Sequence, residues 1–222
     1  MPLMTTQQAA ERLDVTVRHV QRLVSAGELA AIGTDRIDAE SVVQWLAQRG
    51  GSRVRAWEEA TAWGAVDLLE GGSAPWLGQP QRSRLRATLA AARATELAAR
   101  TRNRAEVLRL HAHPRAVGRL GGEVVPSGAG RGVGGLTAVA DRVDGYVAAA
   151  DLDRLTTRYR LESDPSGAVV LRATGMPLEL VRELARGAGH VLAGLDLAGS
   201  TDARERAAGS RILDRALGRM GG

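Results

Sequence analysis

Apolar residues recur at helical spacing from the first turn of the chain. Ala9, Ala10 and Leu13 share one face of a segment running from Met4 to Leu13, with Thr5 or Thr6 placed to cap it. Asp14 and Val15 read as a turn and Thr16 as the next cap. Val20, Leu23 and Val24 are then the inward face of a second helix that stops at Ala26 and Gly27. Leu29 to Ile32 and Arg36 to Ile37 flank Gly33, Thr34 and Asp35 as a short hairpin. Asp38 caps a further helix, whose Val42, Val43, Trp45 and Leu46 form an apolar face before Gly50 and Gly51 end it. The predicted order over residues 1–50 is helix, turn, helix, hairpin, helix, which is a helix-turn-helix with a wing.

The pattern then loosens. Residues 51–80 read as a helical linker: an amphipathic helix from Trp57 to Leu69 with an acidic outer face, then a flexible joint from Gly71 to Pro75. A domain boundary is expected near that joint or at Gly50 and Gly51. Residues 81–222 read as a mixed α/β domain. Its expected elements are an Ala-rich helix from Gln81 to Arg102, a strand over Val107 to His113, a short helix over Pro114 to Leu120, and strands over Glu123 to Pro126 and Val143 to Ala148. A helix capped by Asp151 follows, then a hairpin turning at Asp164 to Gly167, a helix over Pro177 to Ala185, a strand over His190 to Leu197 and a closing helix from Asp202 to Arg219. The expected fold class is α+β and helix-rich.

Composition narrows the chemistry. All 30 basic residues among the 222 are Arg, Phe is absent and aromatics make up 3%, so the cores are built from Leu, Val and Ala. With no Cys there is neither a disulfide framework nor a thiol nucleophile. No 18 apolar residues run together and the start lacks a secretory pattern, so a cytoplasmic location without membrane contact is expected. Charge is unevenly placed. Residues 1–56 carry 7 Arg against 6 acids, 57–78 carry 4 acids and no Arg, 79–120 carry 10 Arg against 2 acids, and 121–222 carry 13 of each. The basic region lies outside the first fifty residues.

If Val20, Leu23 and Val24 are buried, Thr16, Val17, Arg18, His19, Gln21 and Arg22 face outward and can enter a major groove. Arg18 and Arg22, one turn apart, can read guanine or grip phosphate, and Gln21 can read adenine. Thr6 at the first helix and Thr34 and Arg36 at the hairpin complete the candidate contacts, with Arg36 on a phosphate. Beyond this module, one straight helix over 81–104 would place Arg82, Arg86, Arg93, Arg100 and Arg104 within about 40° of one another, a stripe for phosphates or an acidic partner.

The stretch MTTQQAAERLDVTVRHVQRLVSAGELAAIGTDRIDAESVVQWLAQRG resembles the MerR/excisionase-type winged helix-turn-helix over about a fifth of the chain. The markers are the Thr-x-x-x-Ala-Ala-x-x-Leu first helix, Val15 and Thr16, the Arg-Leu-Val before Ala26-Gly27-Glu28-Leu29, and Arg36-Ile37-Asp38-Ala39. Two positions depart: Val17 stands where such helices often carry a polar or basic residue, and Asp35 puts a negative charge at the wing tip. Residues 83–219 resemble the C-terminal part of AbiEi-type antitoxin regulators through RAEVLRLHAHPR, ADRVDGYV with its AADL helix, GAVVLRATGMPLELV and LAGLDLAGSTDARERAAGSRILDRAL. That resemblance implies an autoregulatory repressor of a toxin-antitoxin operon, with operator DNA, a cognate toxin and a second copy of the chain as partners. An excisionase-like architectural factor and a nucleotidyltransferase-type enzyme with a DNA-binding domain are the alternatives.

Chemical constellations are weaker. His111 and His113 would share one strand face but lack a third metal ligand. The glycines of 128–135 lack the Lys-Ser/Thr of a phosphate loop and read as a loop. Asp141 with Asp144 and Asp151 with Asp153 lack the partners of a two-carboxylate metal site, and Asp151 reads as a helix cap. Trp45, Trp57 and Trp63 read as core or interface. No catalytic residue, metal or cofactor is expected, and the chain is not expected to be an enzyme.

Overall fold

A computed structural model describes residues 3–25, 29–32, 35–49, 54–128, 142–164, 167–200 and 202–220. The chain divides into two compact units, Met1–Gly51 and Ser52–Gly222.

The first unit runs β1 (Leu3–Thr5), α1 (Thr6–Leu13), α2 (Val17–Ser25), β2 (Ala31–Ile32), β3 (Arg36–Asp38) and α3 (Ala39–Arg49). Thr5 stays extended and closes a capping box with Gln8: its Oγ1 accepts from Gln8 N at 3.1 Å while Gln8 Oε1 accepts from Thr5 N at 2.8 Å. That extended cap lets Leu3–Thr5 pair with β3, so the expected hairpin gains a third strand in the order β1-β3-β2. Asp14 ends α1 in the left-handed conformation at φ 54, and Thr16 Oγ1 accepts from His19 N at 3.2 Å at the start of α2. Asp38 opens α3 by accepting from Glu40 N and Ser41 N. Ala9, Leu13, Val20, Leu23, Leu29, Ile37, Val42 and Trp45 close one core between helices and sheet.

The second unit contains α4 (Glu59–Leu69), α5 (Gln79–Ala91), α6 (Ala94–Arg100), a 3-10 turn (Arg102–Arg104), β4 (Glu106–His111), α7 (Pro114–Gly121), β5 (Val125–Pro126) and β6 (Val143–Ala148). It continues with α8 (Leu152–Tyr159), β7 (Glu162–Ser163), β8 (Val169–Thr174), α9 (Leu178–Ala185), α10 (Val191–Ala198) and α11 (Ala203–Gly218). The sheet order is β5-β6-β8-β4-β7, with β6 and β8 parallel and the other pairs antiparallel. Alternation along β8 sends Val169, Leu171 and Ala173 to one face, where they meet Val117 and Leu120 of α7 and Leu155 and Tyr159 of α8. On the other face Tyr146 and Val125 join a larger cluster drawn from α4, α5, α6, α9, α10 and α11. Trp63 is its largest buried side chain; its Nε1 donates to Arg104 O at 2.8 Å and Thr174 Oγ1 at 3.0 Å.

Four expectations are corrected. Residues 54–78 are no linker, because Trp63 and Leu77 lie in the core of the second unit. The Ala-rich segment is two helices, since Ala92 and Arg93 are extended. In one continuous helix Ala94 would point about 180° away from Leu85, yet both are buried. Leu161 to Leu171 is not a hairpin: β7 and β8 flank β4 on opposite sides. The connection passes so close over β4 that a Cβ on Gly167 would lie 2.1 Å from Leu110 O. Finally, His190 to Leu197 is helix, not strand. Every residue from Val191 to Leu197 is buried, Asp196 included, and a helix buried on all sides has no helical periodicity to show. Its N-terminus is capped from another element, Glu70 accepting from Gly189 N at 2.8 Å and Val191 N at 2.6 Å.

Candidate nucleic-acid interface

Helix α2 turns Val20 and Leu23 into the first core and leaves Arg18, Gln21 and Arg22 exposed. Arg22 Nη2 lies 2.8 Å from His19 Nδ1, which steadies the Arg22 guanidinium along the helix surface. Thr16 is exposed at the N-terminus, where unpaired N–H groups favour an anion. Arg36 is exposed on β3, opposite Ile32 on one side and Thr5 on the other. The exposed side chains of α2 are rich in donors, with two arginines one helical turn apart, which can grip phosphates and present bidentate donors to a base edge.

Two candidate contacts sit elsewhere. Thr6 is 4% exposed and faces the core side of α1, with its Oγ1 lacking a hydrogen-bond partner among the described residues. Val17 is half-buried against the first core, so the residue that departs from the family's polar position is an apolar support and not a donor. Thr34, at the tip of the expected wing, lies outside the described residues.

The arginine stripe does not survive the break between α5 and α6. Arg82 Nη1 donates to Leu77 O at 2.9 Å. Arg100 pairs with Glu96 at 2.7 Å and lies 5.5 Å from the Trp57 ring centroid. Arg104 is 6% exposed in the interior of the second unit. Of the five, Arg86 and Arg93 remain exposed, and Arg84 on α5 joins them.

Sequence reasoning missed the group that holds Arg104. Its Nη2 donates to Asp196 Oδ1 at 2.8 Å and its Nε to the Tyr146 hydroxyl at 3.0 Å, and that hydroxyl donates to Asp196 at 2.5 Å. Asp196 also accepts from Gly128 N at 3.1 Å. Arg172 grips Asp144 with two bonds, 2.7 and 3.0 Å. Burial opposes the charge on Asp196, but Arg172 and Arg104 outweigh it and hold the carboxyl below its ordinary range. Burial pushes the Tyr146 hydroxyl upward, so it stays protonated and donates. The residues span positions 104 to 196, and only the buried Tyr and the isolated polar residue in the apolar run of α10 hint at them in sequence.

The chemical constellations dissolve in the same way. His111 is exposed at the end of β4, whereas His113 caps α7 by accepting from Arg115 N at 3.2 Å, so the two do not share a strand face. Asp144 is engaged by Arg172. Asp151 sits at the start of α8 but spends its carboxylate on Arg154 at 3.0 Å and not on the backbone. Asp141 and all but the first glycine of 128–135 lie outside the described residues. Among the described residues no group of three or more His, Asp or Glu is placed to hold a metal ion, and no helix is long and apolar enough to cross a membrane.

The fold of the first unit, with its exposed second helix, is that of a DNA-binding helix-turn-helix. Residues 3–50 match the family described as a helix-turn-helix domain. No curated protein and no solved structure matches the chain.

Proposed function

We propose that the chain is a sequence-specific transcriptional regulator, that α2 reads the major groove while the β2–β3 hairpin serves as a wing, and that it acts as an autoregulatory, antitoxin-type repressor. The observation that carries the DNA-binding part is the outward row Arg18, Gln21 and Arg22 on the second helix of a helix-turn-helix. The repressor and antitoxin parts rest on the resemblance of residues 83–219 to AbiEi-type regulators, with operator DNA, a cognate toxin and a second copy of the chain as partners in the cytoplasm. On this reading the protein is not an enzyme.

A single module of this size buries only about 600–1,000 Å² on DNA. Added affinity comes from a second copy or from phosphate contacts by Arg84, Arg86 and Arg93, which are exposed on a stretch free of acids from Gln79 to Arg93. The test is a gel shift with a fragment of the gene's own promoter. The wild-type chain is expected to retard it in preference to unrelated DNA, and Arg18→Ala with Arg22→Ala to abolish that preference. A double variant with unchanged preference would remove α2 as the reading helix.

The second reading is an excisionase-like architectural factor, which the helix-turn-helix match over residues 3–50 also fits. It requires a bend in the bound DNA, visible as position-dependent mobility when the site is moved along fragments of constant length.

A further inference from the structure

The two exposed arginines of α2 differ in what holds them. Arg22 Nη2 lies 2.8 Å from His19 Nδ1. A guanidinium has donors only, so Nδ1 is the acceptor and the ring proton sits on Nε2. Arg18 makes no side-chain hydrogen bond or ion pair among the described residues. His19 is half-buried whereas Arg22 is exposed, so the histidine is the restrained partner and the longer arginine is the one it places. Long side chains on a helix lean toward its N-terminus, over the residues one turn back. The bond to His19 fixes that lean in Arg22 and draws its guanidinium toward the end of α2 that begins at Val17. In helix-turn-helix complexes the N-terminal residues of the second helix are the ones that meet base edges.

We infer that His19 is a positioning residue for base readout: it presets Arg22 toward a base edge, whereas Arg18, left free, grips the phosphate backbone. The inference rests on the reading of α2 as the groove helix. A free arginine loses rotamer freedom when it docks, and a guanidinium already tied on one side loses less. Tying one N–H to His19 leaves the other donors for the paired O6 and N7 acceptors of guanine. A phosphate carries no sequence information and asks for no such register, so an untethered arginine serves there. His19 thereby acts on sequence choice through Arg22, without a base contact of its own.

The experiment selects the preferred site of the full chain from duplexes with a randomised core, then measures Kd for that site and its single-base variants. The wild type is expected to discriminate about tenfold or more at the base pair that Arg22 reads. Arg22→Ala should remove that discrimination and keep it elsewhere. His19→Leu, of similar bulk but without an acceptor, should weaken it roughly threefold or more at the same base pair, and should change nothing further when added to Arg22→Ala. His19→Asn, whose Oδ1 replaces Nδ1 as the acceptor, should restore the wild-type preference. Arg18→Ala should weaken binding to every duplex alike and lower the log-log salt slope by about 0.9. His19→Ala replaces the Leu variant if that chain does not fold. The inference is overturned if His19→Leu discriminates as well as the wild type, if its loss falls at a different base pair or adds to that of Arg22→Ala, if His19→Asn is no better than His19→Leu, or if Arg18→Ala changes base preference. Discrimination lost in Arg22→Ala but kept in His19→Leu removes the role of His19 alone. A wild type without any preferred site removes the reading of α2 together with this inference.

Discussion

Asp196 is the residue on which the interior of the second unit converges. It is 1% exposed and holds Arg104, Tyr146 and the Gly128 amide at once. Removing one partner of a buried ion pair leaves the other charge unsolvated, so Asp196→Asn should cost about 3 kcal/mol, read from the urea midpoint. Tyr146→Phe should cost about 1–3 kcal/mol by leaving Arg104 Nε unpaired. The depressed Asp196 pKa sets the sign of the pH dependence. The unfolded chain binds the proton at higher pH than the folded one. The contribution is therefore complete above the ordinary Asp value of about 3.9 and is lost as pH falls through the lower folded value. A urea series at decreasing pH should show the gap between wild type and Asp196→Asn closing in acid; a gap that stays constant down to strong acid would refute the assignment.

At the scale of elements, legibility followed periodicity and local caps. α1, α2 and α3 were readable because each has a cap, Thr5, Thr16 and Asp38, beside an amphipathic face. β6 and α11 were readable for similar reasons, down to the Asp202 cap that accepts from Arg204 N and Glu205 N. Long-range contacts decided the rest. Nothing near α10 in sequence supplies its cap, which comes from Glu70, and nothing in 161–171 shows that β4 inserts between β7 and β8. The outward face of α2 was legible because burial of Val20 and Leu23 dictates which residues face out. The arginine stripe was not, because the break at Ala92 depends on where Ala94 and Leu97 find a core. α10 and α11 meet at glycines: a Cβ on Gly209 would lie 2.4 Å from Ala198 N and 2.6 Å from Gly194 O. Backbone atoms cannot give way cheaply, so Gly209→Ala should destabilise the second unit by about 1–3 kcal/mol, measured as a fall in Tm with α1 and α2 unaffected in amide exchange.

At the scale of the molecule, the two units have separate cores, with one cluster drawn only from residues 4–46 and the others only from the second unit. Charge is divided as well: the first unit is nearly neutral, while the excess of Arg lies in 79–120. If Arg84, Arg86 and Arg93 touch phosphates, replacing all three with Ala should flatten the log-log salt dependence of DNA affinity by about 0.9 for each phosphate no longer neutralised, while leaving site preference intact. An unchanged slope would confine DNA binding to the first unit. The place of β8 in the sheet bears on how the protein is made. It lies between β6 and β4, so neither neighbour can complete its pairing until residues 169–174 have been synthesised. At 5–20 residues per second that is on the order of ten seconds after the first unit is complete. Throughout that interval the nascent chain can carry a folded helix-turn-helix ahead of an unfinished sheet, and a protease pulse on stalled ribosomes should find the first fifty residues protected well before the rest.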